Sequence, residues 1–116
     1  MPTWAYIYEH PGADPVDDRF ELDRDGQRSL MVPVPDAAVA PAVATHLVDA
    51  EDVTLVELCG GFPLVSAARV VEAVGDRVPV GHVTFAVEAI RSAAAYNAEA
   101  EAAASGSSAA SSRSSG

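Results

Sequence analysis

The run Val53-Thr54-Leu55-Val56-Glu57-Leu58, closed by Cys59-Gly60-Gly61-Phe62-Pro63, constrains the fold more than any other stretch. It is short, apolar and β-branched, the pattern of a strand buried on both faces, as in a parallel sheet. Parallel neighbours require crossover connections, so helical segments must flank it. They do. Asp36 can cap a helix through about Ala50 with Val39, Val43, Leu47 and Val48 on one face, its start possible at Pro41. After Pro63, Leu64, Ala67, Ala68, Val71 and Val74 form an apolar stripe, and Gly75 suits a C-terminal cap.

The remaining strands follow from local signals. Thr3-Trp4-Ala5-Tyr6-Ile7-Tyr8-Glu9 is aromatic and β-branched and stops at the turn His10-Pro11-Gly12. An acidic loop over residues 10–19 leads to Phe20-Glu21-Leu22, the turn Asp23-Arg24-Asp25-Gly26, and a strand from Ser29 to Val34. Pro33 cannot donate to a ladder and predicts an edge or a ragged end there. Val78 to Phe85 reads as the last strand, and Val87 to about Ala103 as an Ala-rich helix. The expected fold is α/β: a single small domain over residues 1–104, a mostly parallel sheet of 4–5 strands with helices packed against it, and an N-terminal hairpin. The closing SGSSAASSRSSG, residues 105–116, reads as a disordered Ser-rich tail.

Seventeen acids face seven basic residues, all arginine, for a net charge of −10. Such a field repels phosphate backbones and anionic headgroups, so nucleic acid and membrane are not expected partners. No apolar run approaches the roughly 20 residues that span a bilayer. A single cysteine cannot form an internal bridge and the opening lacks the features of a secretory leader, so a reducing, cytoplasmic setting is expected.

In an open α/β sheet, ligands gather outside the carboxyl ends of strands, where loops meet helix N-termini. Cys59, Gly60 and Gly61 fall there, with Phe62 beside them. Glycines permit positive φ and close backbone approach, and free N–H groups at a helix start attract a carboxylate or phosphate. The plain alternative is a tight strand-to-helix turn. Cys59 at that helix start is a candidate nucleophile or acid, or else a small buried hydrophobe. Glu57 alternates onto the side of Cys59 and is a candidate base, or else the partner of an arginine such as Arg69.

His82 and Thr84 share a face near the end of the last strand, and Glu9 and His10 end the first; if that strand is also parallel, these ends converge on the Cys59 corner. Glu57 or Glu9 with His82 or His10 would then move a proton on a carbonyl substrate. Tyr8 is an alternative acid to Cys59. No pair of His, Cys or acid has ligand-type local spacing, so no metal is expected.

The stretches "WAYIYEHPGADP", "VELCGGF" and "VEAVGDRVPVGHVTF" resemble a bacterial family of small, uncharacterised α/β proteins with a WAFIY-type start, an ELCGGFGP box and an RVPVG strand. The resemblance spans about residues 3–88 and implies the same fold and a functional corner at the box, but no activity. The residues therefore lead to two expectations. One is a cofactor-free isomerase, lyase or cyclase acting by proton transfer on a carbonyl- or carboxylate-bearing metabolite, which Gly60, Gly61, Phe62, Glu9, His10 and Thr84 would help to bind. The other is a non-catalytic small-molecule-binding or assembly protein. In either case a homo-oligomer is expected, because small α/β bodies often complete their cores that way.

Overall fold

A computed structural model describes the backbone of residues 2–114 and the side chains of residues 2–105. Five strands, β1 (Thr3–Glu9), β2 (Phe20–Arg24), β3 (Gln27–Val34), β4 (Leu55–Leu58) and β5 (Val80–His82), form one sheet in the order β2-β3-β1-β4-β5. Only β2 is antiparallel to its neighbour. The expected α/β fold with its hairpin is thus present.

The hairpin closes through Asp25 and Gly26, both at positive φ (54° and 80°), the backbone a two-residue turn between right-twisted strands demands. Pro33 lies opposite Tyr8 and beyond Phe20↔Met31, the last pair with β2. Its missing N–H therefore falls past the end of the hairpin ladder, at the ragged end its chemistry predicts.

The strand β3 leads over β1 to β4 through α1 (Ala40–Glu51), and β4 leads to β5 through α2 (Leu64–Val74). Both crossovers advance in the same direction, so right-handed connections carry both helices over the same face. That face holds Ala5, Ile7, Leu30, Val32, Val34, Val56 and Leu58, clustered with Ala40, Ala44 and Leu47 of α1 and Ala67, Val70 and Val74 of α2. The connection from β1 to β3 runs the other way and contains no helix, only the loop of residues 10–19 and β2. Hence the opposite face, with Trp4, Tyr6, Tyr8, Met31 and Glu57, stays half-buried. The expectation that β4 is buried on both faces is corrected accordingly: Val56 and Leu58 are buried, Leu55 and Glu57 half-exposed.

Leu47 of α1 and Ala67 and Val74 of α2 are buried as expected, but the rest of each buried face differs. Asp36 caps a 3-10 turn, Ala37–Val39, accepting from the Ala38 N–H at 2.9 Å, and α1 starts only at Ala40, with Pro41 in its first turn. Val39 therefore faces outward, and the small Ala40 and Ala44 lie against the sheet. On α2 the buried residues are Ala67, Val70 and Val74, while Leu64 is 78% exposed and Val71 47%. The Gly75 cap holds, at φ 62°.

The chain divides into two units, Met1–Val83 and Thr84–Gly116. The first contains the whole sheet with α1 and α2; the second contains a 3-10 turn, Val87–Ala89, and α3 (Ile90–Ser114). The last strand is shorter than expected, so Thr84 lies beyond it, in the second unit. Of the tail expected at residues 105–116, all but Ser105 lacks described side chains, and residues 115–116 lie outside the description entirely.

Candidate functional site

At β1 the chain departs toward β3 on one side, whereas β4 departs toward β5 on the other. The carboxyl ends of β1 and β4 therefore flank the point where connections diverge, the place where an open sheet forms its crevice. The Cys59 N–H donates to the Ile7 carbonyl at 3.0 Å, extending the ladder by one bond, and the Phe62 N–H closes a turn onto the Cys59 carbonyl at 3.2 Å. A Cβ built on Gly61 would sit 3.6 Å from Oε1 of Glu9 and 3.7 Å from Sγ of Cys59. Carboxyl, thiol and glycine thus meet in one patch. Cys59 is free and half-buried.

The glycines do not work as expected through positive φ, which among the described glycines belongs to Gly12, Gly26 and Gly75. Gly61 contributes lack of bulk, leaving the Glu9 carboxyl room over the backbone. Partial loss of water there raises the pKa of Glu9 above the ordinary glutamate value, and the nearby charge of Asp36 adds to it. Phe62, expected to bind substrate, is 3% exposed and belongs to the core, because the turn at Cys59 points its ring inward. Pro63 precedes α2, whose first turn has no side-chain cap, so its N–H groups are left for another acceptor.

Glu57 is on the open face. Its Oε1 accepts from Nε1 of Trp4 at 3.0 Å, so its partner is an indole and not Arg69. It pairs in register with Tyr6 and Gly81, and a Cβ on Gly81 would lie 3.3 Å from its Cγ. The Tyr6 phenol is pushed above its ordinary pKa by burial, then by the charges of Cys59 and Glu57. His82 pairs with Leu58, one step out of phase with Glu57, and therefore lies on the helix-covered face, its Nε2 buried without a hydrogen-bond partner. Glu57 and His82 do not share a site.

Tyr8 and His10 lead into a cavity of about 450 Å³ under the 10–19 loop, walled also by Asp17, Asp18, Arg19, Phe20 and Pro33. None of those five was read as a site residue from the sequence, where Asp17 and Asp18 belonged to the acidic loop. The readable signal was Asp14 followed by turn formers: its Oδ1 accepts from the N–H groups of Val16 and Asp17 at 2.8 and 2.9 Å, and these bonds lower its pKa. The Asp14 N–H donates to Oδ2 of Asp18 at 2.7 Å. Arg19 leaves the loop to grip both carboxylate oxygens of Glu51, at 2.7 and 3.0 Å. Among the described residues no group of three or more His, Cys, Asp or Glu is placed to hold a metal.

Fold and rim together define a small open-sheet α/β protein with one helix-covered face. The chain belongs to a family of unknown function, DUF6506, whose model matches residues 2–98. No curated protein and no solved structure matches it. Among the described residues no helix is long and apolar enough to cross a membrane.

Proposed function

We propose that the rim formed by Glu9, Cys59, Gly60 and Gly61 is the active site of a small, cofactor-independent isomerase, lyase or cyclase that moves a proton on a carbonyl-bearing metabolite. The observation that carries this reading is the meeting of the Glu9 carboxyl and the Cys59 thiol over Gly61, where the sheet connections diverge. Glu9 is the base. Its raised pKa brings it closer to neutral pH, which suits a group that must both take and return a proton. It removes a proton from the carbon beside the carbonyl, leaving an enolate and a neutral carboxylic acid. The acid then returns that proton to another carbon or to a leaving group. Cys59 donates to the substrate oxygen, and the uncapped N–H groups of α2 stabilise developing negative charge there. Glu57, held by Trp4, positions the neighbouring aromatic row.

The test is a thermal-shift screen of small carboxylates and 1,3-dicarbonyls, followed by NMR of the hits in deuterated water. Bound ligand raises the melting temperature by mass action, and substrate α-protons should exchange in the presence of the wild type. Glu9→Gln should fold normally and lose exchange by about a hundredfold or more. Retained exchange in a folded Glu9→Gln protein would overturn the assignment.

A second reading, an assembly protein, draws on α2, where Leu64, Val65 and Val71 stand exposed along one side. If it holds, the chain runs in light scattering as an oligomer, and Leu64→Ser with Val71→Ser shifts it to a monomer without unfolding it.

A further inference from the structure

The cavity under the 10–19 loop carries a conclusion about ligand charge that is independent of proton transfer at Glu9 and Cys59. Its volume of about 450 Å³ is that of a small-molecule site. Its wall is built in advance: Asp14 ties Val16, Asp17 and Asp18 into one turn, His10 donates its N–H to the Val34 carbonyl at 2.8 Å, and Arg19 Nε donates to the Pro15 carbonyl at 3.0 Å. A ligand therefore meets a loop that is already ordered.

The lining has two kinds of group. Tyr8 and Phe20 supply aromatic rings, and Phe20 is 70% exposed, so its ring is open to a ligand. Asp17 and Asp18 supply carboxylates. The single lining cation, Arg19, is neutralised by Glu51, which also pairs with Arg28, and Arg28 pairs with Glu21; these four charges sum to zero. The charge of Asp17 and Asp18 is thus uncompensated by any side chain of that network. Aromatic faces attract cations and carboxylates pair with them, whereas an anion would meet repulsion on both counts. From this arrangement we infer that the Tyr8–Phe20 cavity binds a small organic ammonium ion, its charged head toward Asp17 and Asp18 and its apolar part on the rings.

The test uses the full chain at low ionic strength with benzyltrimethylammonium as probe, and benzoate and benzyl alcohol as anionic and neutral controls of similar size. Backbone amide NMR should show saturable shifts for Ala13, Asp18 and Phe20 with the ammonium ion. Benzoate should leave them unmoved, and benzyl alcohol should bind more weakly. Asp17→Asn with Asp18→Asn keeps an oxygen acceptor for the Asp14 N–H and should weaken binding about fivefold or more; Phe20→Ser should weaken it about two- to fivefold. Binding should persist in Cys59→Ala and Glu9→Gln, so failure here is distinguishable from failure at the rim. Absence of saturable ammonium binding, equal or tighter binding of benzoate, or undiminished binding in the folded double Asn variant would overturn the inference.

Discussion

At the scale of single residues, Gly61 and Gly81 look alike in sequence and differ in what surrounds them. An added methyl at Gly61 meets Glu9 and Cys59 at ordinary contact distance, whereas at Gly81 it comes within 3.3 Å of the Glu57 side chain. Gly61→Ala should therefore change stability by less than about 0.5 kcal/mol while crowding the rim. Gly81→Ala should push Glu57 away from Trp4 and cost on the order of 1 kcal/mol, measurable by urea unfolding. Glu9 adds a prediction with a sign. A carboxyl whose folded pKa is raised destabilises the fold above that pKa, and the penalty disappears as pH falls below the ordinary glutamate value. Glu9→Gln should therefore melt slightly higher than wild type at neutral pH, and the gap should close on acidification. A stability gain accompanied by lost exchange chemistry is the behaviour of a group held for function.

At the scale of elements, the strands were legible and the helix faces only in part, with Leu47, Ala67 and Val74 buried as expected. Aromatic and β-branched runs, the turn His10-Pro11-Gly12 and the pair Asp25-Gly26 carry their conformations locally, so β1, the hairpin and β4 lie close to where they were expected. The helices carry valine on several sides, and hydropathy ranks valine over alanine. The choice made by the fold is steric: Ala40 and Ala44 let α1 approach the sheet closely, and the 3-10 turn at Ala37–Val39 sets the phase. The same limit affected the site. Glu9, Cys59 and Gly61 could be placed from strand ends, but whether His82 shares a face with Glu57 depends on the register between β4 and β5, which no single strand encodes. The cavity at Tyr8 depends on how the acidic loop folds back, through Asp14 and Arg19. The helix phase is testable: Leu47→Ala should cost about 2–5 kcal/mol, and Leu64→Ala less than about 0.5 kcal/mol, in chemical denaturation.

At the scale of the whole molecule, charge sets the response to conditions. A net charge of −10 makes the folded chain repel itself, so added salt should raise the melting temperature until the repulsion is screened. One ion cluster opposes that trend. Burial works against ionisation of Glu51, but hydrogen bonds and charge from Arg19, then Arg28, prevail and hold its pKa below the ordinary value. Its contribution is fully present above the ordinary glutamate pKa and fades as pH falls through the depressed folded value. Glu51→Gln should therefore be less stable than wild type at neutral pH and approach it in acid, read from melting curves across that range. The cluster links the 10–19 loop, β3 and the end of α1, so its loss should also loosen the cavity wall.

The uncovered sheet face has a practical corollary. Trp4 is the only tryptophan in the chain, half-buried, hydrogen-bonded to Glu57 and beside Tyr6, which senses the Cys59 thiol. Indole emission responds to the polarity and charge immediately around the ring. The protein thus carries its own optical probe, and a titration of candidate metabolites can be followed by intrinsic fluorescence, with no dye attached and no knowledge of the reaction required.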